Sequence, residues 1–229
     1  MLPPAPVRRP SRPNKVRKLR LPDGTRVLVR PIREADAPAF ARAYSRLSAE
    51  SLRRRHLNAA FRLTARDLRY LTAVDHREQI AFVSIDPGTG DILGSARYFR
   101  FPNHPNTAEM AIEVIDDWQG RGVGRLPLRR LSEHAKAHGI DKFTALVAAG
   151  KLPMQRALRR AITSSRSDGP ELEYVLDVAF LARRTGAAPL RVFGWVNRLL
   201  VVGRPATSRF RPTRPESDPA SSLVTAPAC

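Results

Sequence analysis

The chain has 229 residues, 42% of them hydrophobic and 27% charged, which suits one ordinary core with flanking tails. Its 40 Lys and Arg against 21 Asp and Glu give a formal net charge of +19, which favours polyanions such as nucleic acid, anionic lipid or phosphorylated cofactors. The single cysteine, Cys229, excludes an internal disulfide and a thiolate metal cluster, and no run reaches the ~18–20 apolar residues of a membrane span, so a cytoplasmic protein without a transmembrane segment is expected.

Residues 1–20 hold seven Lys and Arg and no acid, and read as a disordered basic tail without the apolar core of a signal peptide. The turn Pro22-Asp23-Gly24 leads into a strand over 26–30. A helix follows to about Leu47, with Asp36 as its N-cap and Pro38 in its first turn. Ser48 is placed to cap a second helix over 50–57. Thr64 and Asp67 form a capping box with Asp in place of Glu, opening a helix to about Ala73. Strands over 80–85 and 92–99 flank the turn 86–91 as a hairpin, and 107–115 adds a third strand.

A glycine run comes next, then a helix to about His138 that Gly139 stops. The pattern continues with a strand over 142–147, a short helix over 153–160 and a closing hairpin of 162–166 with 171–178. Residues 179–202 read as a C-terminal helical extension, amphipathic over 190–202, and 203–229 as a second disordered tail. Strands mixed with crossover helices indicate an α/β domain over 21–178 with a partly antiparallel sheet.

The strongest local signal is Gln119-Gly120-Arg121-Gly122-Val123-Gly124-Arg125, between a strand and a helix. Glycines let backbone N–H groups approach an anion, and the helix start adds its positive dipole end. Arg121 and Arg125 add charge, so the constellation suits a pyrophosphate. The dinucleotide fingerprint fails because its third glycine position is Arg125, and no Gly-Lys-Ser/Thr string of a P-loop exists.

The pattern Q/R-x-x-G-x-G/A after a strand resembles the acetyl-CoA signature of the GNAT superfamily. The strings DDWQGRGVG, LPDGTRVLVRPIREAD and ARYFR and the Ala108-Glu109 pair are similar to the GNAT domains of bacterial protein-lysine acetyltransferases, over roughly 20–178. The resemblance implies a mixed, mostly antiparallel sheet flanked by helices. It implies that the amides from Gly120 to Arg125 hold the CoA pyrophosphate, and that Glu113 and Val114 run beside the pantetheine. It also implies that Glu109 is the general base. A lysine amine has a pKa near ~10.4 and arrives protonated, so a carboxylate is needed to free its lone pair. The backbone N–H of Val114 is a candidate oxyanion donor, and no metal is called for. Glu113 shares a strand face with Glu109 and is the alternative base.

Some residues depart from the family pattern. Pro127 stands where the family has Leu, Lys151 stands near a family Asn, and 150–162 contain no Tyr to act as general acid. His134 and His138 are read as surface histidines rather than a metal pair, Asp116 and Asp117 as charges favourable before a helix start, and Arg53-Arg54-Arg55 as a solvated helix face. The expected function is acetyl transfer from acetyl-CoA to an amine, a protein lysine above a small molecule. The competing expectation is a non-catalytic CoA- or anion-binding module, with the basic tails touching polyanions.

Overall fold

The computed structural model describes residues 16–49, 51–52, 63–148, 158–168 and 171–183. Eight strands form one sheet in the order β1-β2-β3-β4-β5-β6-β8-β7. They are β1 Arg17–Arg20, β2 Arg26–Pro31, β3 Gln79–Ile85, β4 Ile92–Phe101, β5 His104–Val114, β6 Lys142–Ala148, β7 Ile162–Asp168 and β8 Glu171–Asp177. Every pairing is antiparallel except β5 with β6. The described helices are α1 Ala37–Ser45, α2 Ala65–Thr72, α3 Arg125–Ala137 and α4 Val178–Arg183. None of them is long and apolar enough to cross a membrane.

Strand alternation divides the core into two layers. Ile80, Phe82, Tyr98, Met110 and Ile112 join Leu128, Leu131 and Ala135 of α3 on one face. Val29, Ala81, Val83 and Leu93 join Phe40, Ala43 and Tyr44 of α1 and Leu71 of α2 on the other. The apolar positions of α1 and α3 recur at helical spacing, so each helix turns one stripe to the sheet.

Local chemistry sets the helix ends. The Thr64–Asp67 capping box is present in both directions. Gly139 takes φ +76° after α3, a left-handed bend that glycine adopts without strain. Pro127 is the third residue of α3, where its missing N–H costs little. The Val123 carbonyl, which Pro127 cannot reach, accepts from Leu126 N and from the Ser84 hydroxyl, each at 3.3 Å.

Three expectations are corrected. Arg17–Arg20 is not tail but an edge strand paired with β2, closed by a turn in which Leu21 N donates to Thr25 O at 2.9 Å. Pairing there covers the open edge of β2 and lets Leu19 pack on the core. Asp36 does stand at the N-cap position of α1, but its side chain makes no capping bond to that helix, because Arg30 holds its two oxygens at 2.6 and 2.7 Å and Arg33 N donates to it at 2.8 Å. Val178 leaves the last strand and opens α4, whose Phe180 N–H bonds the Asp177 carboxylate at 2.8 Å. Ser48 does cap, accepting from Ser51 N at 3.1 Å, but the helix expected over 50–57 falls largely outside the described residues. So do Arg53-Arg54-Arg55, Lys151, most of the helix expected over 153–160, and the amphipathic stretch 190–202.

Candidate active site

The centre of the sheet is where its single parallel pair parts. β5 and β6 match only at Thr107 with Lys142, Ala108 with Phe143 and Glu109 with Thr144. β5 continues to Val114 and β6 to Ala148, so the two strands diverge beyond Glu109. Hydrogen-bond phase decides what lines the gap. Ile115 N donates to Leu93 O at 3.1 Å, which makes the odd residues of β5 bond β4. Asn106 O accepts from Asp141 N at 2.8 Å on the opposite edge, in line with that phase. The N–H and C=O groups of Met110, Ile112 and Val114 therefore face the gap.

The glycine run closes the wide end of this wedge. Gly120 has φ +76° and Gly122 φ +91°, conformations that side chains with a Cβ rarely adopt. Among the described residues, the N–H groups of 120–124 donate to no protein acceptor, and α3 begins immediately after them. Such a row of donors at a helix start forms a cradle with the geometry that suits an anion. Gln119 braces it from below, donating from Nε2 to Val114 O at 3.2 Å and to the Asp116 carboxylate at 2.7 Å. Asp116 also accepts from Ser48 N at 2.8 Å and from the Ser51 hydroxyl at 2.7 Å, while Arg46 holds Asp117 at 3.0 Å. These two acids therefore tie the end of α1 to the loop and do not serve mainly as charges before α3.

Arg121 turns away from the cradle, with its guanidinium 4.1 Å over the Trp118 ring and Nη2 2.7 Å from Asp23. The Thr25 hydroxyl, then Arg121, hold the Asp23 carboxyl at about 2, well below its ordinary value. Arg125 lines a cavity of about 310 Å³ beside Gly122 with Arg17, Arg20, Arg129 and Arg130.

At the narrow end, Glu109 and Glu113 rise from β5 on the α1 side of the sheet, each 6% exposed. The Tyr44 hydroxyl lies 3.5 Å from one Glu113 oxygen and the Ser95 hydroxyl 3.3 Å from the other, long for such bonds. Arg97 of β4 stands opposite Ala111, between the two acids in register and on the same face. It is fully buried, and burial lowers its pKa to about 10, so it remains protonated at neutral pH. Its Cζ sits 5.8 Å from the Phe40 ring centroid. Tyr70 of α2 is close enough for both Arg97 and Glu109 to act on its hydroxyl, whose pKa burial raises.

The structure thus gathers Glu109, Glu113, Val114 and the loop 119–125 around one wedge. Arg97, Ser95, Tyr44 and Tyr70 join them without having been singled out by sequence reasoning. The available signal was the alternation Ser95, Arg97, Phe99, which puts a cation on an inward strand face. The histidines lie elsewhere. His134 packs half-buried against Tyr98 and Phe82, its Nδ1 is 3.0 Å from the Tyr98 hydroxyl, and its ring stacks on His138 at 4.0 Å. It is therefore part of an aromatic cluster rather than a surface histidine. Among the described residues no group of three or more His, Cys, Asp or Glu could hold a metal ion.

The sequence profile of the acetyltransferase (GNAT) domain matches residues 26–161. An acetyltransferase Pat of Mycolicibacterium smegmatis is 29% identical over 132 residues, covering 58% of this chain and 39% of that protein. An acetyltransferase of Pseudomonas aeruginosa is 28% identical over 137 residues, covering 59% of this chain and 73% of that protein. The chain thus spans only about two fifths of the length of the first of these relatives. Among solved structures, the GNAT domain of S. lividans PAT superimposes with a TM-score of 0.64 at 26% identity, over 71% of this chain and 96% of that one.

Proposed function

The chain belongs to the GNAT acetyltransferase family, and from that premise we propose that it moves the acetyl group of acetyl-CoA to a protein lysine, with Glu109 as general base. The observation that supports this reading best is the end of β5–β6 pairing at Glu109. The gap that begins there has a row of main-chain donors on one wall and a cradle of amides at its mouth. A buried carboxylate stands at its apex.

An extended pantetheine arm laid along Met110, Ile112 and Val114 would bond their main-chain groups as a neighbouring strand does. Its diphosphate would then meet the amides of 120–124. The thioester carbon would lie near Glu109, where an incoming ammonium gives its proton to the carboxylate. The amine lone pair forms the new C–N bond. The negative charge gathering on the carbonyl oxygen falls to the gap-facing N–H nearest Glu109, that of Met110, because Val114 lies about 16 Å farther along the extended strand, at the diphosphate end. When the C–S bond breaks, the electron pair leaves on the CoA sulfur, which is protonated by way of water, and the second proton of the amine nitrogen passes to solvent as the neutral amide forms. Two held reactants account for much of the acceleration.

The test is a pair of variants assayed on lysine peptides with acetyl-CoA. Glu109→Gln should lower kcat by about a hundredfold or more while thermal shift by CoA persists. Glu113→Gln should retain most of the activity. Loss in the Glu113 variant alone would transfer the role of base to Glu113. Absence of any CoA binding would remove the reaction itself.

A further inference from the structure

Arg97 is a fully buried charged group of this chamber that the reaction above does not use. Among the described residues, none of its three guanidinium nitrogens has a hydrogen-bond partner. Glu109 and Glu113 flank it in register on the same strand face, but no hydrogen bond joins either to it. The Phe40 ring lies 5.8 Å from its Cζ, and the hydroxyls of Tyr44 and Tyr70 act on it electrostatically. Taking a guanidinium out of water without a hydrogen-bonded counter-charge is strongly unfavourable. A methionine or leucine in the same strand position would pack without that cost. A cation kept dry and unbonded at the apex of a reaction cleft is therefore matched to an anion that comes with the substrate.

Resting on the acetyl-transfer reading, we propose that Arg97 is a specificity residue that binds a carboxylate carried by the acceptor close to its reacting amine.

Register fixes how close. Arg97 pairs opposite Ala111, and Glu109 is two residues along the same strand face. Such diagonal positions lie roughly 7–8 Å apart at the backbone, and side chains from them converge. An amine at Glu109 and a carboxylate at Arg97 thus belong to one small molecule or to adjoining side chains of one peptide. A planar guanidinium is suited to a carboxylate because its paired N–H groups match two oxygens. Tyr70 provides the route, since its ring is only partly buried and its hydroxyl senses both charges. The carboxylate has two possible sources, an amino acid's own acid group or an acidic residue beside an acceptor lysine.

The test compares acceptors that differ only in that charge. One arm sets γ-aminobutyrate against its amide, and the other sets a lysine peptide with Asp beside the lysine against the same peptide with Asn. In the native enzyme the acid of at least one pair should exceed its neutral partner by about tenfold or more in kcat/KM, mainly through KM. Which arm shows it identifies the source. Arg97→Met should bring that ratio near one, and Arg97→Lys should keep part of it.

A ratio near one in both arms of the native enzyme, or a preference untouched by Arg97→Met, overturns the proposal. Thermal stability gives a readout independent of turnover. With CoA present, succinate should raise the Tm of the native protein and not that of Arg97→Met. Without ligand, Arg97→Met should melt no lower than the native protein, because an unbonded buried charge has been removed. A much lower Tm would mark Arg97 as structural and sink the proposal. If no amine is acetylated at all, the transfer reading fails while the succinate shift still decides whether Arg97 takes an anion.

Discussion

Asp23 and Arg121, 98 residues apart in sequence, meet at 2.7 Å and join the β1–β2 turn to the glycine loop. The contact holds the Arg121 side chain against Trp118 and out of the anion cradle. Both partners are solvent-exposed, so the pair serves to place the loop more than to stabilise the fold. Asp23→Asn should weaken CoA binding by about twofold to fivefold in calorimetry, with little change in Tm. Because the Asp23 carboxyl is held at about 2, the difference between native and variant protein should stay constant from pH 8 down to pH values approaching that figure. A difference that disappears in the pH range of an ordinary carboxylate would mean that the pair is not formed in solution.

Gly122 tests the cradle more directly. Its φ of +91° is costly for any residue with a Cβ, yet a Cβ built there meets only Pro22 at 3.7 Å. The penalty in Gly122→Ala is therefore conformational rather than steric, about 1–3 kcal/mol if the loop keeps its shape. A loop that relaxes instead turns its amides away from the diphosphate. CoA affinity should fall by about tenfold or more, while circular dichroism and the far core remain native. Unchanged affinity would show that the amides of this loop do not hold the cofactor.

Gly94 makes the opposite case. A Cβ there would stand 2.7 Å from the backbone oxygen of Glu113 and 3.3 Å from a Val114 methyl. Backbone on one side leaves nothing that can rotate aside. Gly94→Ala should destabilise the protein by about 1–3 kcal/mol and lower Tm by several degrees. β5 would also be pushed toward the gap that its Val114 lines. Differential scanning calorimetry that finds an unchanged Tm would refute the close approach of β4 and β5 at this point.

Local devices were readable in the sequence. The glycine run, the Thr64–Asp67 capping box and the Gly139 stop are local devices, each acting within a few residues, and string and structure agree on them. Placing Glu109 and Glu113 on one strand face followed from period-two alternation alone. What escaped depends on distant pairing. Arg17–Arg20 looks like any basic tail until β2 offers it an open edge. Asp36 looks like a cap until Arg30 takes both of its oxygens. Arg97 looks like one more surface arginine in a basic chain until two sheet neighbours and two helices enclose it.

His134 supplies a pH dependence whose sign can be worked out. Burial first, then the neighbouring His138, push its pKa down to about 3, so the folded protein holds the ring neutral across the neutral range. The neutral ring can accept the Tyr98 hydroxyl at Nδ1, an acceptance that protonation would abolish. An unfolded histidine titrates near ~6.5. Between that value and about 3 the unfolded chain binds a proton that the folded chain refuses, so stability is complete above the unfolded value and falls as pH drops through this window. Tm should therefore decline on acidification from pH 7 to pH 4. His134→Phe keeps an aromatic ring between Phe82 and Tyr98 but cannot titrate, so its decline should be shallower by one proton's worth of slope. Equal slopes in native and variant protein would mean that His134 ionises as freely in the fold as outside it, and that the aromatic cluster does not enclose it.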